Sequence, residues 1–286
     1  MKGKKLKTAL LAATTFVFAA PAMAGYNVSV DEFSVTKGGS LIYLDSFNDS
    51  TPPPSNPMNP PFTYTVNGTV GPENSSDRLI MDQSGAALGT NSLGQSRAYQ
   101  AVQLNTNAHP TTNSGDPDYI LGLKSWHDFT ASVTFDYSVP SPGLVYGLRL
   151  TDFSSTNPYS GNDTAFLMVY GGSGGPQVVF YQQNYVLGFQ TVLDGTAVTA
   201  SPFDQITLTL SHAAGSNQVS ASWAYLLGGV LQGTGAFAPT ATLFSDEPFT
   251  RASFMVSAPV PEPETWAMLL AGLGMLGFMS RRRLKV

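Results

Sequence analysis

The residues of this 286-residue chain that are suited to chemistry are few, and their spacing fits most reactions poorly. Gly171-Gly172-Ser173-Gly174-Gly175 satisfies G-x-S-x-G. A nucleophile elbow, however, needs a strand, a sharp turn and then a helix, so that the serine Oγ stands above the sheet. Pro176 and the β-rich run QVVFYQ follow instead, so the glycines read as a hairpin between Ala165–Tyr170 and Gln177–Tyr181. Glycoside hydrolysis needs two facing carboxylates. Glu32, Glu73 and Glu247 are the only glutamates between residues 25 and 260, each beside turn residues, and no E-x-D-x-x-E spacing occurs. Asp136, Asp152 and Asp163 read as surface or loop. His109, His127 and His212 lack the close pairing of a zinc site. Oxygen donors gather at Asn113, Asp116 and Asp118, and again at Asp45 and Asp49. Carboxylates on loops are what Ca²⁺ requires, although Asx turns use the same residues. Trp126, in KSWHDF, is either an exposed platform or packed against a loop. Trp223, in phase with Val219 and Ala221, reads as core.

The elements around these residues are strands. From Gly25 onward, short apolar alternations are separated by Gly, Pro, Asn, Asp and Ser, and no stretch of ten residues has helical period. Ser40–Asp45 is the first strand candidate. Residues 50–61 carry six prolines and form an extended loop, because proline cannot donate to a ladder. Phe62–Val70 alternates, Arg78–Met81 is short and apolar, and Asn105–Asp118 is a polar loop. Val133, Phe135 and Tyr137 then share a face, as do Leu144, Tyr146, Leu148 and Leu150. Ile206, Leu208 and Leu210 follow, then Val219, Ala221, Trp223 and Tyr225, and finally Ala252, Phe254 and Val256. Period-two alternation on many short strands means one buried and one wet face, hence antiparallel sheets in a β-sandwich. With no cysteine there is no disulfide framework, and 236 residues between 25 and 260 suffice for a core.

Charge is segregated. Lys2, Lys4, Lys5 and Lys7 precede the apolar run Thr8–Ala20 and the small-residue site Ala22-Met23-Ala24. This is the layout of a secretory signal peptide over residues 1–24. Arg281, Arg282, Arg283 and Lys285 close the chain. Between residues 25 and 260 stand six basic against seventeen acidic residues, a formal charge near −11. Such a surface is unsuited to nucleic acid, which is bound by releasing counterions to a basic patch.

The tail, VPEPETWAMLLAGLGMLGFMSRRRLKV, has three parts: Pro261-Glu262-Pro263, an uncharged apolar segment 265–280, and Arg281-Arg282-Arg283. As a helix the segment spans about 24 Å, short of the roughly 30 Å hydrocarbon core. The arginines stop it and face the cytoplasm, leaving residues 25–260 outside the inner membrane. A short span between a motif and a basic stop has the logic of a processing signal rather than a permanent anchor.

In the order of these parts, residues 261–286 closely resemble the PEP-CTERM sorting signal of Gram-negative surface proteins. The resemblance implies that Pro261, Glu262 and Pro263 are recognised by an exosortase, a membrane-embedded cysteine transpeptidase-like enzyme. It further implies release or transfer to the surface, among exopolysaccharide and biofilm matrix. The later half, with FDQITLTLSHAAGSNQVSASWAYLLGG and its polar turn Ala213–Asn217, also resembles a concanavalin-like (LamG-like) jelly roll. Asp45–Ser50 is consistent with the first strand of such a domain. The expectation is a non-enzymatic, cofactor-free exported protein with a glycan or protein ligand. An exported polysaccharide-active hydrolase or lyase is the alternative.

Overall fold

The computed structural model describes residues 26–47, 62–67, 78–82, 86–90, 96–106, 123–152, 163–184, 189–198, 202–244, 249–260 and 273. Among them run sixteen strands: β1 (Asn27–Lys37), β2 (Ser40–Asp45), β3 (Phe62–Asn67), β4 (Leu79–Asp82), β5 (Ala87–Thr90), β6 (Ser96–Thr106), β7 (Leu123–Lys124), β8 (Phe129–Asp136), β9 (Val145–Asp152), β10 (Thr164–Gly172), β11 (Gly175–Asn184), β12 (Phe189–Ala197), β13 (Gln205–His212), β14 (Gln218–Leu227), β15 (Val230–Thr242) and β16 (Phe249–Pro259). All pairings are antiparallel. One sheet has the order β15-β14-β13-β8-β1-β2, with β4 also on β1. The other has β12-β11-β10-β9-β16-β6-β3, with β5 on β6 and β7 on β16. The chain repeatedly switches sheets, at β8 to β9, β12 to β13 and β15 to β16, giving a two-layer antiparallel β-sandwich.

One core lies between the layers. β8 and β13 alternate strictly between buried and partly exposed residues, as their sequences require. Rings from the two sheets meet edge-on. Phe33 lies 5.2 Å from Phe254, and Phe135 lies 5.1 Å from Tyr146. Each such pair adds about 0.5–1.5 kcal/mol beyond its area burial. Trp223 is buried, and its indole occupies the space that a side chain at Gly235 of β15 would need. A Cβ there would stand 2.0 Å from Trp223 Cζ2.

The outer face of the first sheet is an array of small hydroxyls. Thr130, Ser132 and Thr134 of β8 stand opposite Ser211, Thr209 and Thr207 of β13, and their hydroxyls are bonded at 3.1, 3.0 and 2.9 Å. Cross-strand hydroxyl pairs of this kind stabilise a solvated face without a charge.

Ser40–Asp45 is not the first strand of the domain. β1 precedes it, and its pattern is hidden by a bulge. Val28 and Val30 face inward, then Phe33 and Val35, with a register shift on β8 between Val30 and Glu32. One extra residue breaks the period-two signature. β1 and β2 join through Gly38 and Gly39, at φ +56° and +76°. This two-residue turn demands left-handed backbone twice, so Gly-Gly suits it. β6, β12 and β15 also escape the sequence pattern. β15 carries Gly233 and Gly235 rather than apolar residues on its inner face, under the rings of Tyr225 and Trp223.

Candidate functional site

The first sheet ends in two clefts, one at each end of β8 and β13. At the β8 C-terminus the bulge leaves both Asp31 and Glu32 facing outward, and Asp31 reaches the Arg78 Nε at 2.8 Å. Asp136, the last residue of β8, pairs with Arg78 Nη1, and the Gln205 amide donates to Asp31 Oδ2. Asp204 completes the group. Its carboxylate accepts the Gly228 N–H at 3.0–3.1 Å, which fixes the β14–β15 turn. A concavity of about 550 Å³ opens over Arg78, Asp136, Tyr137 and Gln205.

Two carboxylates on one guanidinium, with Asp204 acting on both at longer range, leave an excess of negative charge. Burial, then the neighbouring Asp31, push the Asp136 carboxyl up to about 6, against a smaller lowering by Arg78. Asp31 is raised as well, chiefly by burial. The two carboxyl groups clamp the same guanidinium. Glycosidase carboxyls stand about 5–5.5 Å apart in retaining enzymes and about 6.5–9.5 Å in inverting ones, with a sugar between them. In this pair both carboxylates are instead engaged by one guanidinium, that of Arg78. Sequence spacing missed the cluster because its members come from β1, the residue before β4, the end of β8 and the start of β13. Asp136 had read as surface or loop, yet it is paired and only 25% exposed. Asp163, read the same way, does lie outside the strands, just before β10, but it is fully buried rather than on the surface.

The second cleft, about 500 Å³, lies at the opposite end, where three connections converge on Trp126. β7 pairs with β16, so Lys124 is held opposite Phe249. The chain then turns, with the His127 N–H donating to the Lys124 carbonyl at 3.0 Å. Gly38 N–H donates to Asp128 O at 2.9 Å, and Gly215 N–H to Ser125 O at 2.9 Å. Ala214 N–H donates to Asp128 Oδ1 at 2.7 Å. Beneath them the buried His212 ring sets Nδ1 2.8 Å from His127 O and Nε2 2.7 Å from Ser216 O, stacked 4.9 Å from Phe129. On this scaffold Trp126 remains 49% exposed, with the Lys124 ammonium 5.1 Å from its ring centroid.

The other predicted residues divide simply. Ser173 stands in the β10–β11 hairpin turn, with no helix behind it, so the elbow pattern is a turn. Asp45 is buried and used locally, accepting the Tyr43 hydroxyl at 3.1 Å and the Phe47 N–H at 2.9 Å. Asn113, Asp116 and Asp118 lie outside the described residues, as do Asp49, Ala22 and Ala24, Pro261-Glu262-Pro263 and Arg281 to Arg283. Among the described residues no three His, Asp or Glu side chains are grouped to hold a metal ion. Nor does any described helix have the length and apolarity to cross a membrane. Of segment 265–280 only Leu273 is described, helical and 56% exposed.

Fold and tail together define an antiparallel β-sandwich protein sorted through a C-terminal signal. The PEP-CTERM protein-sorting motif family matches residues 259–283, which takes in Pro261-Glu262-Pro263, the apolar segment and the three arginines. The motif implies export, transit through the membrane to the cell surface, and an exosortase as the processing partner. No curated protein matches the chain.

Proposed function

We propose that the chain is a non-enzymatic surface or matrix protein of a Gram-negative cell, whose sandwich binds exopolysaccharide. The observation that carries this reading is the sorting motif at residues 259–283, placed behind a β-sandwich. Residues 1–24 direct export and are removed after Ala24. Segment 265–280 then holds the domain in the inner membrane, with Arg281, Arg282 and Arg283 on the cytoplasmic side. The exosortase reads Pro261-Glu262-Pro263 and frees residues 25–260 from this temporary anchor to the cell surface and matrix. The non-enzymatic part of the reading is supported by the Arg78 guanidinium that Asp31 and Asp136 share.

Glu262→Ala in the full-length chain tests the sorting step. The variant should accumulate in the inner-membrane fraction at its unprocessed mass, while the parent appears at the surface at lower mass. Equal mass and equal surface delivery for the two proteins would defeat the sorting reading.

A further inference from the structure

We propose that the outer edge of β15 is a self-association surface, through which two copies of this chain pair strand to strand about a twofold axis. The inference stands apart from the glycan-binding reading and does not depend on it.

The first argument is charge. Residues 205–245 contain no Asp, Glu, Lys or Arg, although seventeen acidic and six basic residues lie between 25 and 260. His212, the one imidazole in this run, is buried. The run forms β13, β14 and β15, and so one side of the first sheet. Two domains near −11 repel each other wherever their carboxylates face. Along this neutral side they approach without that cost. The sheet ends there in β15, which pairs only with β14 among the described strands.

The second argument is the edge itself. A strand edge offers alternating N–H and C=O groups, and another extended strand matches their spacing. Elsewhere the edges are blunted. β12 carries a bulge and Asp194, whose Oδ1 accepts the Gly195 N–H at 2.8 Å. β2 is six residues long and bulged. The far end of β15 is closed as well, since buried Gln182 donates to Thr242 O at 3.0 Å and accepts its N–H at 3.3 Å. Between its two register shifts, Gly233–Phe237 pairs regularly with Tyr225–Ala221 and carries no charge.

The third argument is self-complementarity. A twofold axis at Gly235 makes the pairing antiparallel, with Gly233 against Phe237 and Thr234 against Ala236 in both directions. Gly233, Gly235 and Phe237 stand opposite Tyr225, Trp223 and Ala221, on the core side, while Thr234 and Ala236 are exposed on the hydroxyl side. The one large side chain therefore meets a glycine, and the outer pairs are small and neutral. The adjoining turn is stapled, because the Asp204 N–H donates to Leu226 O at 2.9 Å and the Asp204 carboxylate holds the Gly228 N–H. It keeps Leu227, Val230 and Leu231 exposed, at 42%, 64% and 59%, beside the contact, where a second copy would cover them.

The test uses the processed protein recovered from the surface of cells expressing the full-length chain, in sedimentation velocity over a range of concentration and salt. The parent should show a reversible monomer–dimer equilibrium with a dissociation constant below about 1 mM. Raising the salt should tighten it, because screening relieves repulsion between the acidic domains. Thr234→Lys and Ala236→Lys should each weaken dimerisation at least tenfold, at a melting temperature unchanged in dilute solution. The chain has no cysteine, so a mixture of Thr234→Cys and Ala236→Cys reports the register. Under mild oxidation the mixture should form disulfide-linked heterodimers faster than Ser173→Cys, in the exposed β10–β11 turn, forms homodimers. A parent that stays monomeric at about 1 mM overturns the proposal. So does a dimer indifferent to both lysine variants, a dimer that salt weakens, or equal cross-linking of mixture and control. A dimer found only with added exopolysaccharide overturns it too, since the polymer would then be the partner.

Discussion

Replacing Asp136 with asparagine should stabilise this protein at neutral pH, although it breaks a visible ion pair with Arg78. The reason lies in the cluster's charge. Burial and Asp31 outweigh Arg78, and the Asp136 carboxyl rises from its ordinary 3.8 to about 6. The folded state therefore holds the proton more tightly than the unfolded chain between about pH 4 and pH 6. That contribution is fully present below about pH 4 and is lost as pH rises through 6. At about 1.36 kcal/mol per unit the full shift corresponds to about 3 kcal/mol. With the side chain still 25% exposed, about 1–2 kcal/mol is the realistic penalty for the charged form. Asparagine keeps the shape of the protonated acid and removes the penalty. For a domain of this size the melting temperature should rise by about 2–4 °C per kcal/mol recovered. Thermal scans of the surface-delivered protein at pH 4.5, 6 and 8 provide the assay. The gain of Asp136→Asn over the parent should be largest at pH 8 and vanish towards pH 4.5. A lower melting temperature for Asp136→Asn at pH 8 would refute this reasoning, because it would make the Arg78 pair a net contributor. A difference independent of pH would refute it equally.

Two further substitutions probe the scaffold. Gly235→Ala puts a Cβ 2.0 Å from the Trp223 indole, which is already buried, so the ring or β15 must shift. A loss of about 1–3 kcal/mol is expected, read from the denaturant midpoint at unchanged slope. His212→Ala removes a buried ring that contacts Phe129 at 4.9 Å, Phe244 at 4.7 Å and two loop carbonyls. It should cost about 2–4 kcal/mol. It should also speed hydrogen exchange at the Gly38 and Gly215 amides, whose acceptors lie on the Trp126 loop, while distant β10 and β11 amides follow only the global change.

The sandwich was legible where one simple rule holds along a strand. β8, β13 and β14 show unbroken alternation because each lies in the middle of its sheet, with the core on one side and the hydroxyl face on the other. The rule failed where geometry departs from it. The bulge at Asp31 shifts the phase of β1, so neither half of the strand is long enough to read alone. β15 packs by absence, presenting glycine beneath Trp223 and Tyr225, and a hydropathy pattern has no sign for space left to a neighbour. β12 is an edge strand whose residues from Thr191 to Ala197 are mostly exposed, so half of the expected alternation is missing.

The same bulge separates what the sequence could say about sites from what it could not. A recognition signal read by another enzyme must be contiguous, and Pro261-Glu262-Pro263 with its apolar segment and arginines is legible for that reason. A site on a sheet end is assembled from neighbours that pairing brings together. Asp31, Asp136 and Gln205 lie on three strands and Arg78 just before a fourth, and the Trp126 cleft takes most of its lining from the connections after β1, β7 and β13. Within those connections the residues are Gly-Gly, Ser-Trp-His-Asp and Ala-Gly-Ser, none of which is a motif by itself. What they share is a set of backbone bonds that appears only after β8 has aligned with both β1 and β13. The register of the sheet therefore fixes the cleft. A one-residue slip of β8 would turn its hydroxyls inward and carry Asp128 away from the Gly38 and Ala214 amides. The Trp126 platform and the core consequently depend on one and the same pairing.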